Sequence, residues 1–276
     1  MTTPASPALV RLVGELAAYE RATRAEYAPV YQPGPSFQAI PFFGALPDAH
    51  ILTVGLAPSS LEFAPGRWPD EPLPPKEHAN RLLNYFDGPA AGVPKRDKWF
   101  TRWTVVLGDH LGASYTPGRP WRAAHLDLTP RAVISGRQVN ETRERKDAYT
   151  RMLARDIACV IPFFAHASKA RLVLLAGSAP AQGTKGDLVL GRDLPPDLGR
   201  LEPESPRDDG GDAKANAIAG RYWLTIGTKR LPLWYCSSSP SDKAKERVGL
   251  LGQRLADAKT WLEERLGKPP GQEAPR

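Results

Sequence analysis

Four apolar runs of strand length punctuate the chain: "HILTVGLA" at 50–57, "RAAHLDLTP" at 122–130, "ARLVLLAGSA" at 170–179 and "RLPLWYCSSS" at 230–239. Each is close to continuously apolar, and three of the four pass at once into Gly, Pro or Ser. Strands covered on both faces read this way, with turns at their carboxyl ends. Between them the spacing becomes helical. Leu9, Leu12, Val13 and Leu16 form one stripe near the start, and Leu82, Leu83 and Phe86 mark a helix over 77–86. Met152, Leu153, Ile157, Val160, Ile161 and Phe164 make a broad stripe over 142–167, which Pro162 should kink or end. Val248, Leu251, Leu255, Leu262 and Leu266 follow a cap at Ser241 or Asp242. Strands alternating with helices predict an α/β fold, a three-layer α/β/α sandwich around a mainly parallel four-stranded central sheet.

Two regions stand outside that rhythm. Residues 64–100 form a Pro-rich, partly basic excursion, and residues 183–220, with "EPESPRDDGGDAKANA", read as a flexible surface insertion. The tail "GKPPGQEAPR" has the same character. A hairpin or bend is expected around Gly227, just before the last core strand. No internal repeat is present, so a single domain over 1–276 is the expected organisation.

Composition narrows the classes. A chain of 276 residues can bury one substantial core, and no apolar run approaches the roughly 20 residues of a membrane helix. The N-terminus lacks a basic segment ahead of an apolar one, so no signal peptide is expected and the location reads as cytoplasmic. Cys159 and Cys236 are too few for a disulfide framework or a cysteine-rich zinc site, and both read as reduced core thiols. The net charge of +7 suits a polyanionic partner. No membrane partner, metal or other cofactor is expected, and the chain reads as a monomer.

In open α/β sheets, ligands bind beyond the carboxyl ends of the strands. Four turns are thereby nominated, at 55–60, 125–130, 177–179 and 237–242. None is a phosphate loop, a dinucleotide fingerprint, a nucleophile elbow or a metal cluster. As an ordered set they resemble the uracil-DNA glycosylase superfamily. "GLAP" at 55–58 is similar to the first motif of one of its branches. "LVLLAGSAPA" at 172–181 resembles its third strand and Gly-Ser turn, and "SSSP" at 237–240 lies where the family has "HPSP".

The resemblance implies a three-layer sandwich that flips a base out of DNA and hydrolyses the bond between base and sugar. It places Gly55, Leu56, Ala57, Pro58 and Phe63 in a base pocket. It makes Ser59, Ser178, Ser237, Ser239 and Ser241 contacts to DNA phosphates. The family's water-positioning residue is replaced here by Leu56 and Ala57, and its base-stabilising histidine by Ser237. Asp127 falls where the family reads the base edge with Asn. An ionised carboxylate there accepts the N3–H of uracil, repels O4 and better suits an amino-bearing edge.

The residues themselves nominate His125 and Asp127 as catalytic candidates, since period-two spacing aims both to one face of the strand. A plainer reading has Asp127 cap the turn through Thr129 and Pro130. Phe63 stacks on a base or belongs to the core, and Glu62 reads as solvated or as a helix-start charge. His78 and His110 read as surface residues. "KRDKWFTRW" at 95–103 reads as an amphipathic helix with Trp99, Phe100, Trp103 and Val106 turned inward; as a mixed basic and aromatic run it also suits a nucleic-acid surface. Three functions follow: a glycosylase acting on uracil or another deaminated base in single- or double-stranded DNA, a non-catalytic binder of nucleic acid or a nucleotide-like ligand, and a nucleoside-type hydrolase.

Overall fold

A computed structural model describes residues 4–31, 38–58, 60–63, 68–69, 71–87, 98–134, 136–176, 200–203, 219–236, 251–252 and 254–269. The fold is mixed α/β. Helix α1 (Pro7–Thr23) starts where the Ser6 side chain accepts from the Leu9 amide and Pro7 opens the first turn. Next come β1 (Phe42–Phe43), β2 (Ile51–Gly55), α2 (Pro75–Leu83), α3 (Lys98–Leu111), β3 (Ala113–Ser114) and β4 (Trp121–Asp127). They are followed by α4 (Gly136–Val139), α5 (Arg143–His166) and β5 (Leu172–Ala176). Strands β6 (Arg200–Pro203), β7 (Ala219–Ile226) and β8 (Lys229–Cys236) precede a last helix, α6 (Lys259–Leu266).

All four apolar runs are strands, β2, β4, β5 and β8, and they pair parallel in the order β4-β2-β5-β8. The four-stranded expectation needs correction, because the sheet is eight-stranded, ordered β1-β4-β2-β5-β8-β7-β6 with β3 also on β4. Strands β1 and β3 are two residues each, too short to show a period. Strand β7 runs antiparallel to β8 across a hairpin whose turn holds Gly227 at a φ of 56°. That hairpin fulfils the expectation at Gly227. The insertion at 183–220 is partly strand, since 200–203 pairs with β7 and β7 itself begins at Ala219. Its other residues lie outside the described ones, as do Ser241 and Asp242.

Both faces of the sheet are covered. In the antiparallel pairing of β1 with β4, Phe42 lies opposite Leu126 and Phe43 opposite His125, so the two pairs point to opposite faces. The Phe42 ring meets Phe163 of α5, whereas Phe43 and His125 meet Phe100 of α3. Helices α5 and α3 therefore cover opposite sides of β4. The inward set of α3 is as its spacing predicts: Phe100, Trp103 and Val106 are buried and Trp99 is half-buried. Helix α5, capped by Thr142 on the Arg145 amide, runs through Pro162 rather than ending there. Burial of Ile161, Phe163 and Phe164 around the proline offsets the missing hydrogen bond.

His78 is not a surface residue. It is fully buried in α2, its Nε2 lies 2.8 Å from the Ala39 carbonyl, and its ring meets Trp68 edge-on. Burial lowers its pKa to about 4, while an unfolded chain titrates near 6.5. The neutral ring therefore contributes stability in full above about pH 6.5, and that contribution is lost as pH falls towards 4. The expected loss is on the order of 3 kcal/mol by linkage. Denaturant unfolding at pH 7 and near pH 4 measures it, and His78→Gln should flatten this part of the profile.

Candidate active site

From β2 the chain crosses to β4 on one side and then returns past β2 to β5 on the other. A crevice opens at such a reversal, beyond the carboxyl ends of the strands. Gly55 ends β2 and Asp127 ends β4, and the two are directly paired in register. Ala176 and Cys236, the last residues of β5 and β8, are likewise paired. The strands that precede the four nominated segments thus end on the same side of one four-stranded parallel unit; residues 177–179 and 237–242 themselves lie outside the described ones.

His125 and Asp127 meet there. The His125 Nε2 lies 3.3 Å from Asp127 Oδ1, and both side chains are buried. Asp127 Oδ2 is buried and has no hydrogen-bond partner among the described residues. The capping alternative fails, because Asp127 faces His125 while the Thr129 hydroxyl donates to Asp156. Burial raises the pKa of Asp127, and the charge of His125 and its hydrogen bond pull it down less strongly. Asp127 is therefore a reluctant carboxylate.

On its other side His125 Nδ1 is 2.8 Å from Thr53 Oγ1, which is 2.7 Å from the Tyr115 hydroxyl. Rings enclose the imidazole: Phe43 at 6.1 Å, Trp99 at 5.9 Å and Phe100 at 5.2 Å between centroids. Tyr115 in turn stacks on Phe86. Burial pushes the Tyr115 phenol well above its ordinary range, so it remains a hydroxyl. The result is a chain of polar contacts from Tyr115 through Thr53 and His125 to Asp127, inside an aromatic sleeve.

Sequence reasoning missed Thr53 and Tyr115. Thr53 carried a readable signal, as the one polar side chain in "ILTVG" and two residues from Gly55. Tyr115 carried none. Glu62 was also misread: it is 1% exposed and accepts from the Tyr85 hydroxyl at 2.7 Å, with the Tyr85 ring stacked edge-on against Phe43. Phe63 is buried in the core. His110 is partly buried.

The first turn is laced to β4 by backbone, with the Leu128 amide on the Gly55 carbonyl at 3.0 Å and the Thr129 amide on Leu56 at 2.9 Å. Leu56 and Ala57 are half-buried and Pro58 is buried. Gly55 is required by close approach: a Cβ there would lie 2.7 Å from Asp127 Oδ1 and 3.0 Å from His125 Nε2. Gly55→Ala is expected to push the pair apart and to cost about 1–3 kcal/mol in denaturant unfolding. Ser59, Ser178, Ser237, Ser239 and Ser241 lie outside the described residues.

Among the described residues no three His, Cys, Asp or Glu side chains come together to hold a metal, and no helix is long and apolar enough to cross a membrane. Neither cysteine is in a disulfide, and Cys159 is half-buried and Cys236 buried. Burial pushes the Cys159 thiol up to about 11, which leaves it a poor nucleophile. No protein-family model matches the chain, and no curated protein matches it in sequence.

Proposed function

We propose that this chain is a DNA-base glycosylase that hydrolyses the N-glycosidic bond of a deaminated base after flipping it from DNA. One observation carries the reading. Asp127 stands at the carboxyl end of β4 beside Gly55, with one oxygen on His125 and the other without a hydrogen-bond partner among the described residues. Buried polar atoms are rarely left so, and one without a partner among the described residues, at the carboxyl end of a parallel sheet, favours a ligand group as its partner. The glycosylase-like motifs at 55–58, 172–181 and 237–240 add support, since each begins within or just beyond one of the parallel strands. The proposal extends to a three-layer α/β/α sandwich of that superfamily, working as a monomer in the cytoplasm.

The chemistry asked of the site is modest in parts. The C1′–N bond breaks with its electron pair going to the base, positive charge develops on the sugar, and water adds at C1′, its released proton neutralising the base anion. Donors to the departing base lower the barrier, because they bind it more strongly as its charge grows. Asp127 is the group that meets the base in this reading, with His125 holding its Oδ1 and Thr53 and Tyr115 fixing the imidazole. Leu56, Ala57 and Pro58 supply apolar wall, and the net charge of +7 favours approach to DNA.

The test incubates the full chain with oligonucleotides carrying uracil, hypoxanthine or xanthine, in single and double strands, and detects abasic sites by alkaline cleavage. Abasic product from at least one deaminated base is the expected result. No product at enzyme excess overturns it, and salt-sensitive DNA binding without product would mark a non-catalytic binder instead.

A further inference from the structure

We infer that Asp127 works as a neutral carboxylic acid whose Oδ2–H donates to a carbonyl oxygen of the bound base. The inference deepens the glycosylase reading and rests on it for the identity of the ligand. Its ground is the direction of the hydrogen-bond chain. The Tyr115 hydroxyl has Thr53 Oγ1 at 2.7 Å, and Thr53 has His125 Nδ1 at 2.8 Å but the Ala124 carbonyl only at 3.3 Å. The tautomer that gives Asp127 Oδ1 a donor is the one in which Thr53 donates to Nδ1. The neutral imidazole then carries its own proton on Nε2 and donates it to Asp127 Oδ1.

That Nε2–Oδ1 contact is 3.3 Å. An imidazolium–carboxylate pair closes to about 2.7–2.9 Å, so the length argues against a closed ion pair, and burial then favours the neutral acid. With Oδ1 occupied by an N–H, the proton of a neutral Asp127 belongs on Oδ2, the atom with no hydrogen-bond partner among the described residues. The groups packed around the pair are His125 on its own strand, Thr53 and Gly55 on β2, Phe43 on β1, Trp99 and Phe100 on α3, and Tyr115. His125 is the one titratable neighbour that favours the carboxylate, and burial outweighs it.

A neutral acid reverses what a carboxylate would select. An ionised Asp127 only accepts hydrogen bonds and repels a carbonyl. The acid donates from Oδ2 and still accepts at Oδ1, the pattern of an amide. That matches a base edge in which a carbonyl lies beside a ring N–H, as deamination creates in uracil and hypoxanthine. The donation also strengthens as the departing base gains negative charge, so Asp127 takes over the donor role for which Ser237 is poorly suited.

Carbon-13 NMR of the full chain, with the Asp127 carboxyl signal assigned by its disappearance in Asp127→Asn, reads the protonation state directly. A protonated shift at neutral pH is expected, and an ionised shift overturns the inference. Binding of free uracil to the same chain supplies the second readout. Asp127→Leu, branched at the same carbon but without a donor, is expected to weaken it about tenfold or more, with Asp127→Asn recovering most of the loss. An Asn variant as defective as the Leu variant overturns the inference. Uracil binding with this pattern but no abasic product would remove the glycosylase reaction and leave the role of Asp127 standing. Abasic product from a chain whose Asp127 is ionised would do the reverse.

Discussion

Asp156→Ala is expected to destabilise the protein by about 3–5 kcal/mol, the cost of leaving a buried charge without its partner. Asp156 and Arg131 are both fully buried, and the Arg131 Nε lies 3.1 and 2.9 Å from the two carboxylate oxygens. The Thr129 hydroxyl and the Tyr19 hydroxyl donate to the same carboxylate, at 2.5 and 3.0 Å. Arg131 also reaches the Thr23 hydroxyl and lies over the rings of Tyr19 and Tyr27. Removing Asp156 strands the guanidinium with Glu20 at 3.8 Å as its remaining carboxylate. The network joins α1, α5 and the segment leaving β4, so its loss also loosens the chain just beyond Asp127. Denaturant unfolding at neutral pH measures the effect. A loss below about 1 kcal/mol would show that the pair is compensated elsewhere, and a double-mutant cycle with Arg131→Met isolates the pair itself.

Asp127→Ala is expected to lower abasic-site formation by about 10³-fold, within the usual range for removing an acid–base group. The same change should leave the fold at least as stable as before. Asp127 is a buried group with one unpartnered oxygen, which costs stability rather than supplying it. Activity and stability moving in opposite directions separates a functional role from a structural one. Single-turnover cleavage and thermal melting on the same preparation test it. Lost activity accompanied by a large drop in melting temperature would assign Asp127 to the core instead.

The sheet's heart and part of its site were legible along the chain. Continuous apolar runs identified β2, β4, β5 and β8, because strands buried on both faces have no polar side to show. Period two placed His125 and Asp127 on one face, a purely local consequence of the pleat. The hairpin at Gly227 and the inward aromatics of α3 are local in the same sense. The strands missed, β1, β3 and β6, are two to four residues long, too short for a periodic signal.

What the tertiary structure decided was burial and partnership between distant segments. Glu62 and His78 have polar side chains that ordinarily face water, and only packing against Tyr85 and Trp68 shows that they do not. The set around His125 draws Phe43, Thr53, Trp99, Phe100 and Tyr115 from four stretches of chain. The sequence by itself determined that Asp127 shares a strand face with His125. Whether that carboxyl caps a turn, pairs as an ion or waits as an acid depends on its surroundings. Its surroundings are set by the sheet order, which brings Gly55 close enough to exclude a Cβ and packs aromatic rings around its partner His125.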